Sequence, residues 1–165
     1  MTLALPYAVL DIDGVLADVR HRLHHLQGRP KDWVSFFAAA PDDPALDQGR
    51  DLARRLAADH EVVYLTGRPE RCRQDTLTWL DEQGLPAGRL LMRGDADRRP
   101  ARVTKVEALR RLQLDRPVET MVDDDARVVE AVRAAGFTIV HAEWMHEDGI
   151  QQQTLFDAQE NEGRT

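Results

Sequence analysis

Short apolar runs recur along this chain, and most of them end in polar or charged residues. Tyr7-Ala8-Val9-Leu10 leads into Asp11, Glu61 to Leu65 into Thr66, Leu90-Leu91-Met92 into Arg93, and Thr120-Met121-Val122 into Asp123. Phe137 to Val140 makes a fifth run. Runs of this length, bounded by turn residues, read as buried strands. Apolar residues at helical spacing mark the intervening segments: Ala45 to Ala58, Glu70 to Gln83 stopped by Gly84, Arg102 to Leu112, and Ala126 to Ala135 stopped by Gly136. Strands alternating with helices predict an α/β fold with a mainly parallel five-stranded sheet and flanking helices.

One segment breaks the alternation. Residues 15–44 separate the first strand from the Ala45 helix. Leu16, Val19, Leu23 and Leu26 are spaced for a helix over Ala17 to Leu26 that ends near Gly28. A second short helix starts at Pro30-Lys31-Asp32 and carries Trp33, Val34, Phe36 and Phe37, and Pro41-Asp42-Asp43-Pro44 reads as a turn. This insertion is expected to form a small helical cap beside the end of the first strand. The Gln/Glu-rich stretch 150–165 is expected to be a frayed polar tail, and residues 1–165 to make one domain.

Composition narrows the class. With 42% hydrophobic and 31% charged residues, the chain suits a folded globular protein. It has no apolar stretch long enough for a membrane span, and its first ten residues lack the basic region of a signal peptide. A single cysteine, Cys72, excludes an intrachain disulfide and a thiolate metal site, so a cytoplasmic protein is expected. The net charge of −7 argues against a broad basic surface for duplex binding. Positive charge is nonetheless clustered, with eight Arg and one Lys against six acids from Arg68 to Lys105.

Ligands of an open parallel sheet bind at the strand C-termini, so chemistry is to be sought at the strand ends. Asp11 and Asp13, two apart on extended backbone, point the same way, and Gly14 permits a sharp turn after them. Packed together without a counter-charge they would be costly, which a divalent cation would offset. Thr66 and the amides around Gly67 can hold phosphate oxygens, and Arg68 can add charge-assisted bonds. Lys105 is one of only two lysines against twenty arginines, and a compact ammonium suits a phosphoryl oxygen beside a carboxylate. Asp123-Asp124-Asp125 opens a helix, and its oxygens would suit Mg²⁺.

In this order and context, Asp11-Ile12-Asp13-Gly14, Thr66-Gly67-Arg68, Lys105 and Asp123-Asp124 resemble the haloacid dehalogenase superfamily of phosphohydrolases over about residues 7 to 141. The resemblance implies a Rossmann-like sheet and a Mg²⁺-dependent aspartyl-phosphate mechanism. It implies Asp11 as nucleophile, Asp13 as general acid and base, and Thr66 and Lys105 on the phosphoryl group. The metal would lie on Asp11, the Asp13 backbone carbonyl, and Asp123 or Asp124.

Within that superfamily, Thr66-Gly67-Arg68-Pro69, the Arg73…Thr76…Trp79-Leu80 helix, Met92-Arg93 with Asp97 and Arg99, and Val122-Asp123-Asp124 resemble the 3′-phosphatase domain of polynucleotide kinase-phosphatases. The chain departs from it at Asp125, where Arg is common, and at Ala101-Arg102, where an Asp often precedes the lysine. A phosphorylated nucleic-acid end is the substrate implied, with Arg93 and Arg99 beside Gly67 and Arg68 as contacts. The chain contains no G-x-x-x-x-G-K-[ST] motif, so no kinase half is expected.

Three alternatives stand beside this reading. A 5′(3′)-deoxyribonucleotidase shares the Asp13 to Asp18 opening and would use Trp33, Phe36 and Phe37 to stack a base. Another small-metabolite phosphatase of the superfamily is the second. A receiver-like or degenerate phosphate-binding module is a non-enzymatic third, although the order of its acids, Thr and Lys differs. His21, His24, His25, His141 and His146 are read as surface residues or phosphate contacts, not as a metal site.

Overall fold

Five parallel strands form one sheet: β1 (Tyr7–Leu10), β2 (Glu61–Pro69), β3 (Arg89–Arg93), β4 (Val118–Asp123) and β5 (Ile139–His141), in the order β3-β2-β1-β4-β5. The structure, a computed structural model, describes residues 3–145 and 149–165. The chain moves outward from β1 to β2 and β3, then crosses back to place β4 on the other side of β1. Strand order therefore reverses between β1 and β4, which opens a crevice at their C-terminal ends. Leu10 pairs with Tyr64 on one side and Val122 on the other, so Asp11 and Asp123 emerge side by side at that crevice.

Strand periodicity builds two core layers. Val63 and Leu65 face one side with Tyr7, Val9 and Met121, covered by α4 (Ala101–Asp115) and α5 (Ala126–Ala134). Val62 and Tyr64 face the other with Leu10, Leu90 and Val122, covered by α2 (Asp47–Leu56) and α3 (Arg73–Glu82). Both faces of the sheet are dry, which explains why these strands read as continuous apolar runs.

The insertion after β1 differs in detail from expectation. Val15, Leu16 and Ala17 all direct their amides to the Ile12 carbonyl, and Asp18 accepts from the Arg20 amide at 3.0 Å. The chain is thus turned tightly before any helix begins. It then enters a 3-10 helix, Arg20–Leu26, and after that α1 (Trp33–Ala38), capped by Asp32 on the Ser35 amide.

The tail corrects the sequence reading outright. Gly149–Asn161 forms α6, whose Leu155 and Ala158 are buried against Val19, Leu23, Leu26 and Phe36 of the insertion. The signal was hidden because α6 is rich in Gln, and its apolar partners are supplied by a segment about 130 residues earlier in the chain. Beyond α6, Gly163 and Thr165 are buried as well.

Candidate active site

β1 ends in an acidic turn that its own backbone shapes. Asp11 Oδ1 accepts from the Ile12 amide at 2.8 Å, which leaves Oδ2 facing the crevice. There Lys105 Nζ stands 3.2 Å away. The same ammonium donates to Asp123 Oδ2 at 2.6 Å, while Asp123 Oδ1 accepts from the Asp125 amide at 3.0 Å. Lys105 projects from the first turns of α4, with its whole side chain buried. The third acid of the run, Asp125, serves as the helix cap of α5 and accepts from the Arg127 amide.

Asp124 is the exception among these acids. Both of its carboxylate oxygens are buried and neither has a hydrogen-bond partner. An oxygen of Asp124, one of Asp11 and one of Asp123 all lie within 4.8 Å of one another. Three buried carboxylates therefore face a single ammonium, an arrangement that is costly unless a further cation joins it. Burial pushes the Asp11 carboxyl up to about 8 against the pull of Lys105, and burial with Asp123 and Asp11 alongside raises Asp124 well above the carboxylate range. The donor set of hard oxygens in a partly charge-compensated pocket fits Mg²⁺. Gly14 makes the close approach possible. Its φ is +81°, and a Cβ there would lie 1.9 Å from Asp124 Oδ2.

Asp13 turns the other way. Its carboxylate takes Arg22 Nη2 at 2.9 Å and Arg68 Nη2 at 2.6 Å. Asp43 completes the group, accepting both Arg22 Nε at 2.7 Å and Nη2 at 2.8 Å, and Arg68 Nη2 at 3.1 Å. All four side chains are buried. Although burial alone would raise it, the two guanidiniums hold the Asp13 carboxyl down to about 2. Arg22 and Asp43 were missed by the sequence reading. Arg22 lay among surface-like residues of a helical pattern, and Asp43 looked like a turn between two prolines.

β2 runs further than expected, through Thr66, Gly67 and Arg68 to Pro69. Its register against β3 shifts between Thr66 and Pro69, and such a bulge re-aims side chains. Thr66 Oγ1 accepts from the Arg68 amide at 3.2 Å. Thr66 and Lys105 line one cavity of about 330 Å³ together with Arg93 and Arg99.

The arginines expected to meet phosphate are differently employed. Arg68 is spent on Asp13 and Asp43. Arg93 is 5% exposed and donates to the backbone carbonyls of Gly67, Arg99 and Thr165. Arg99 pairs with Asp97 at 2.8 Å and Glu107 at 2.6 Å. Gly67 touches the tail, where a Cβ would lie 1.8 Å from the Thr165 carbonyl carbon. The clustered positive charge read from the sequence is thus largely neutralised by acids and carbonyls that folding brings to it.

The insertion's aromatic residues are core. Trp33, Phe36 and Phe37 pack on one another with ring centroids 5.3–5.8 Å apart, and none is more than 9% exposed. His21 contacts Asp43 at 2.6 Å, and the His24 and His25 rings lie 4.0 Å apart, tilted by 40°. Among the described residues, only Asp11, Asp123 and Asp124 group as metal ligands, and His146 lies outside those residues. Among the described residues, no helix is long and apolar enough to cross a membrane.

These features align with known proteins. No curated protein matches the chain. The complex described as Pnkp1/Rnl/Hen1 contains a chain with TM-score 0.68 and 24% identity, over 84% of this chain and 45% of that one, so this chain spans under half of its neighbour. A haloacid dehalogenase-like hydrolase from Streptococcus pneumoniae superposes with TM-score 0.64 and 14% identity, over 95% of this chain and 92% of that one. A HAD-hydrolase from Bacillus subtilis, solved bound to magnesium, gives TM-score 0.60 and 10% identity, over 83% of this chain and 88% of that one. At these identities the structures establish the fold. The family model for the polynucleotide kinase PNKP phosphatase domain matches residues 6–144. With that match over the sheet, the insertion and the acidic crevice, the chain belongs to the PNKP-type phosphatase family of haloacid dehalogenase-like hydrolases, and it is a phosphatase.

Proposed function

We propose that this phosphatase is Mg²⁺-dependent, works through an aspartyl-phosphate on Asp11, and removes 3′-phosphates from polynucleotide ends. The observation that carries the metal and the mechanism is Asp124, a buried carboxylate with two unpartnered oxygens set against Asp11 and Asp123. Asp11, Asp123 and Asp124, with the Asp13 carbonyl, would hold the ion. When bound, Mg²⁺ neutralises charge on the phosphoryl group and stabilises Asp11 as a carboxylate.

The chain's own residues divide the remaining work. Asp11 Oδ2, its partner oxygen fixed by the Ile12 amide, attacks phosphorus, and the bond to the 3′-oxygen breaks. Asp13 gives that oxygen a proton. Arrival of a phosphoryl dianion near Asp13 adds negative charge, which raises its proton affinity from the low value that Arg68 and Arg22 give it in the free protein. Asp13 then takes a proton from water, which attacks phosphorus and releases phosphate and the Asp11 carboxylate. Thr66 and Lys105, which line one cavity, hold phosphoryl oxygens and absorb developing charge.

The test compares phosphate release from a 3′-phosphorylated DNA oligonucleotide and from a deoxynucleoside monophosphate at equal concentration, with Mg²⁺ and with Asp11→Asn as control. Preference for the oligonucleotide is expected. Preference for the monophosphate would make the chain a nucleotidase and overturn the end-processing reading.

A further inference from the structure

Resting on the polynucleotide reading above, we infer that a groove between the insertion, the β3–α4 loop and the C-terminal segment holds the phosphodiester backbone upstream of the reacting 3′ end. Its volume is about 1150 Å³, above the range of most small-molecule sites. Three separate parts of the chain each bring an arginine to it: Arg29 from the insertion, Arg98 from the loop after β3, and Arg164 from beyond α6.

The charge balance makes this groove positive. Most arginines here are matched to carboxylates, as Arg73 is to Glu70 and Arg102 to Glu160. Among the described residues, Arg29 and Arg164 have no hydrogen-bond or ion-pair partner. Arg98 donates only to the backbone carbonyls of Asp95 and Asp97. The acids that share the groove are already engaged, Glu162 by Lys31 at 2.8 Å and Asp157 by Arg127 at 3.1 Å. The uncompensated charge of the groove is therefore positive, within a chain of net charge −7. An anion that spans three segments is a polyanion, and single-strand binders use such grooves to track the backbone.

The groove is also built in the right place. Glu162 lines it, and Thr165, three residues on, touches Gly67 next to Thr66. Consecutive Cα atoms are about 3.8 Å apart, so Glu162 is within about 11 Å of Thr165. At a rise of about 3.4 Å per nucleotide, a strand with its end at Thr66 reaches the groove within about three nucleotides. The C-terminal wall packs on the loop, since Gly163 lies so close to Arg98 that a Cβ would be 2.1 Å from its carbonyl oxygen. The family model ends at residue 144, so α6 and the residues after it add this wall to the shared domain.

The experiment measures KM for 3′-phosphorylated DNA and RNA oligonucleotides of two to eight nucleotides, for the wild type and the double variant Arg29→Glu/Arg164→Glu. For the wild type, KM should fall with length up to about five nucleotides. The variant should lose that gain, raising KM for the longer substrates at least about tenfold and flattening the salt dependence, with turnover of p-nitrophenyl phosphate unchanged. A length gain that survives in the variant, or no length dependence in the wild type, would overturn the groove. Anisotropy with a fluorescent, unphosphorylated hexamer reads the groove without turnover: weaker binding by the variant supports it, and equal binding overturns it. Failure of the wild type to release phosphate from any oligonucleotide would instead overturn the end-processing reading, and the anisotropy result would still decide the groove.

Discussion

Arg22 reaches from the insertion into the strand-end turn and sets its Nη2 2.9 Å from Asp13 Oδ1. The same guanidinium holds Asp43 in a two-pronged pair, so one residue ties the insertion to the turn that carries the acids. Charged groups this deeply buried are tolerated because each has its partners.

Removing Arg22 breaks that balance. Arg22→Gln leaves Asp13 and Asp43 with Arg68 as their remaining buried cation. Unfolding free energy should drop by about 3–5 kcal/mol, measured by urea denaturation. A loss below about 1 kcal/mol, the scale of an exposed ion pair, would show that the network is not buried as described.

Gly14→Ala should damage the metal site more than the fold. The new Cβ would strike Asp124 Oδ2, and the backbone sits at a φ that L side chains rarely adopt. The Mg²⁺ concentration needed for half-maximal activity should rise by about tenfold or more, with the melting temperature lowered only modestly. A variant with wild-type Mg²⁺ dependence would remove Asp124 from the metal site.

pH and metal should act together on stability. Asp11 and Asp124 bind protons more tightly folded than unfolded, Asp11 up to about 8. Between the ordinary carboxylate range and that value, the folded chain carries more protons, so in EDTA stability falls as pH rises. Mg²⁺ displaces those protons, and its stabilising effect should grow from about pH 5 to about pH 8. Asp13 contributes oppositely and lower on the scale: its stabilisation is present above the ordinary range and is lost as pH falls toward about 2. Thermal melts with and without EDTA across this window check both signs. A metal-free melting temperature that climbs through it would refute the first.

Asp11→Asn should abolish turnover, by about a thousandfold or more, and leave a folded protein by circular dichroism. Asp13→Asn should lower the rate by about a hundredfold to ten-thousandfold, the scale of general acid–base catalysis. Wild-type rates in either variant would dismiss the assigned role.

Much of the fold was legible without coordinates. The strands announce themselves as apolar runs because both faces of the sheet are buried, and the helices between them show their periodicity. Parallel order follows from the alternation itself. The gathering of polar residues at the strand ends was legible for the same reason: Asp11, Thr66 and Asp123 stand one residue beyond, or within, runs whose direction is set by local pattern. Lys105 stood out only because the chain uses arginine almost everywhere else.

The tertiary structure alone decided which charges meet. A guanidinium sits at the end of a long flexible side chain, so local spacing does not reveal its partner. Arg68 and Arg93 looked available for phosphate, yet one closes on Asp13 and the other on backbone carbonyls of a loop and the tail. Arg22 and Asp43, 21 residues apart, become a pair only when the insertion folds over the turn. The α6 helix likewise has too little apolar surface to declare itself, and is held by contacts with the insertion at the opposite end of the chain. Periodicity is a local property and survives in sequence; the pairing of distant charges and the docking of a polar helix depend on distances that exist only after the chain has closed on itself.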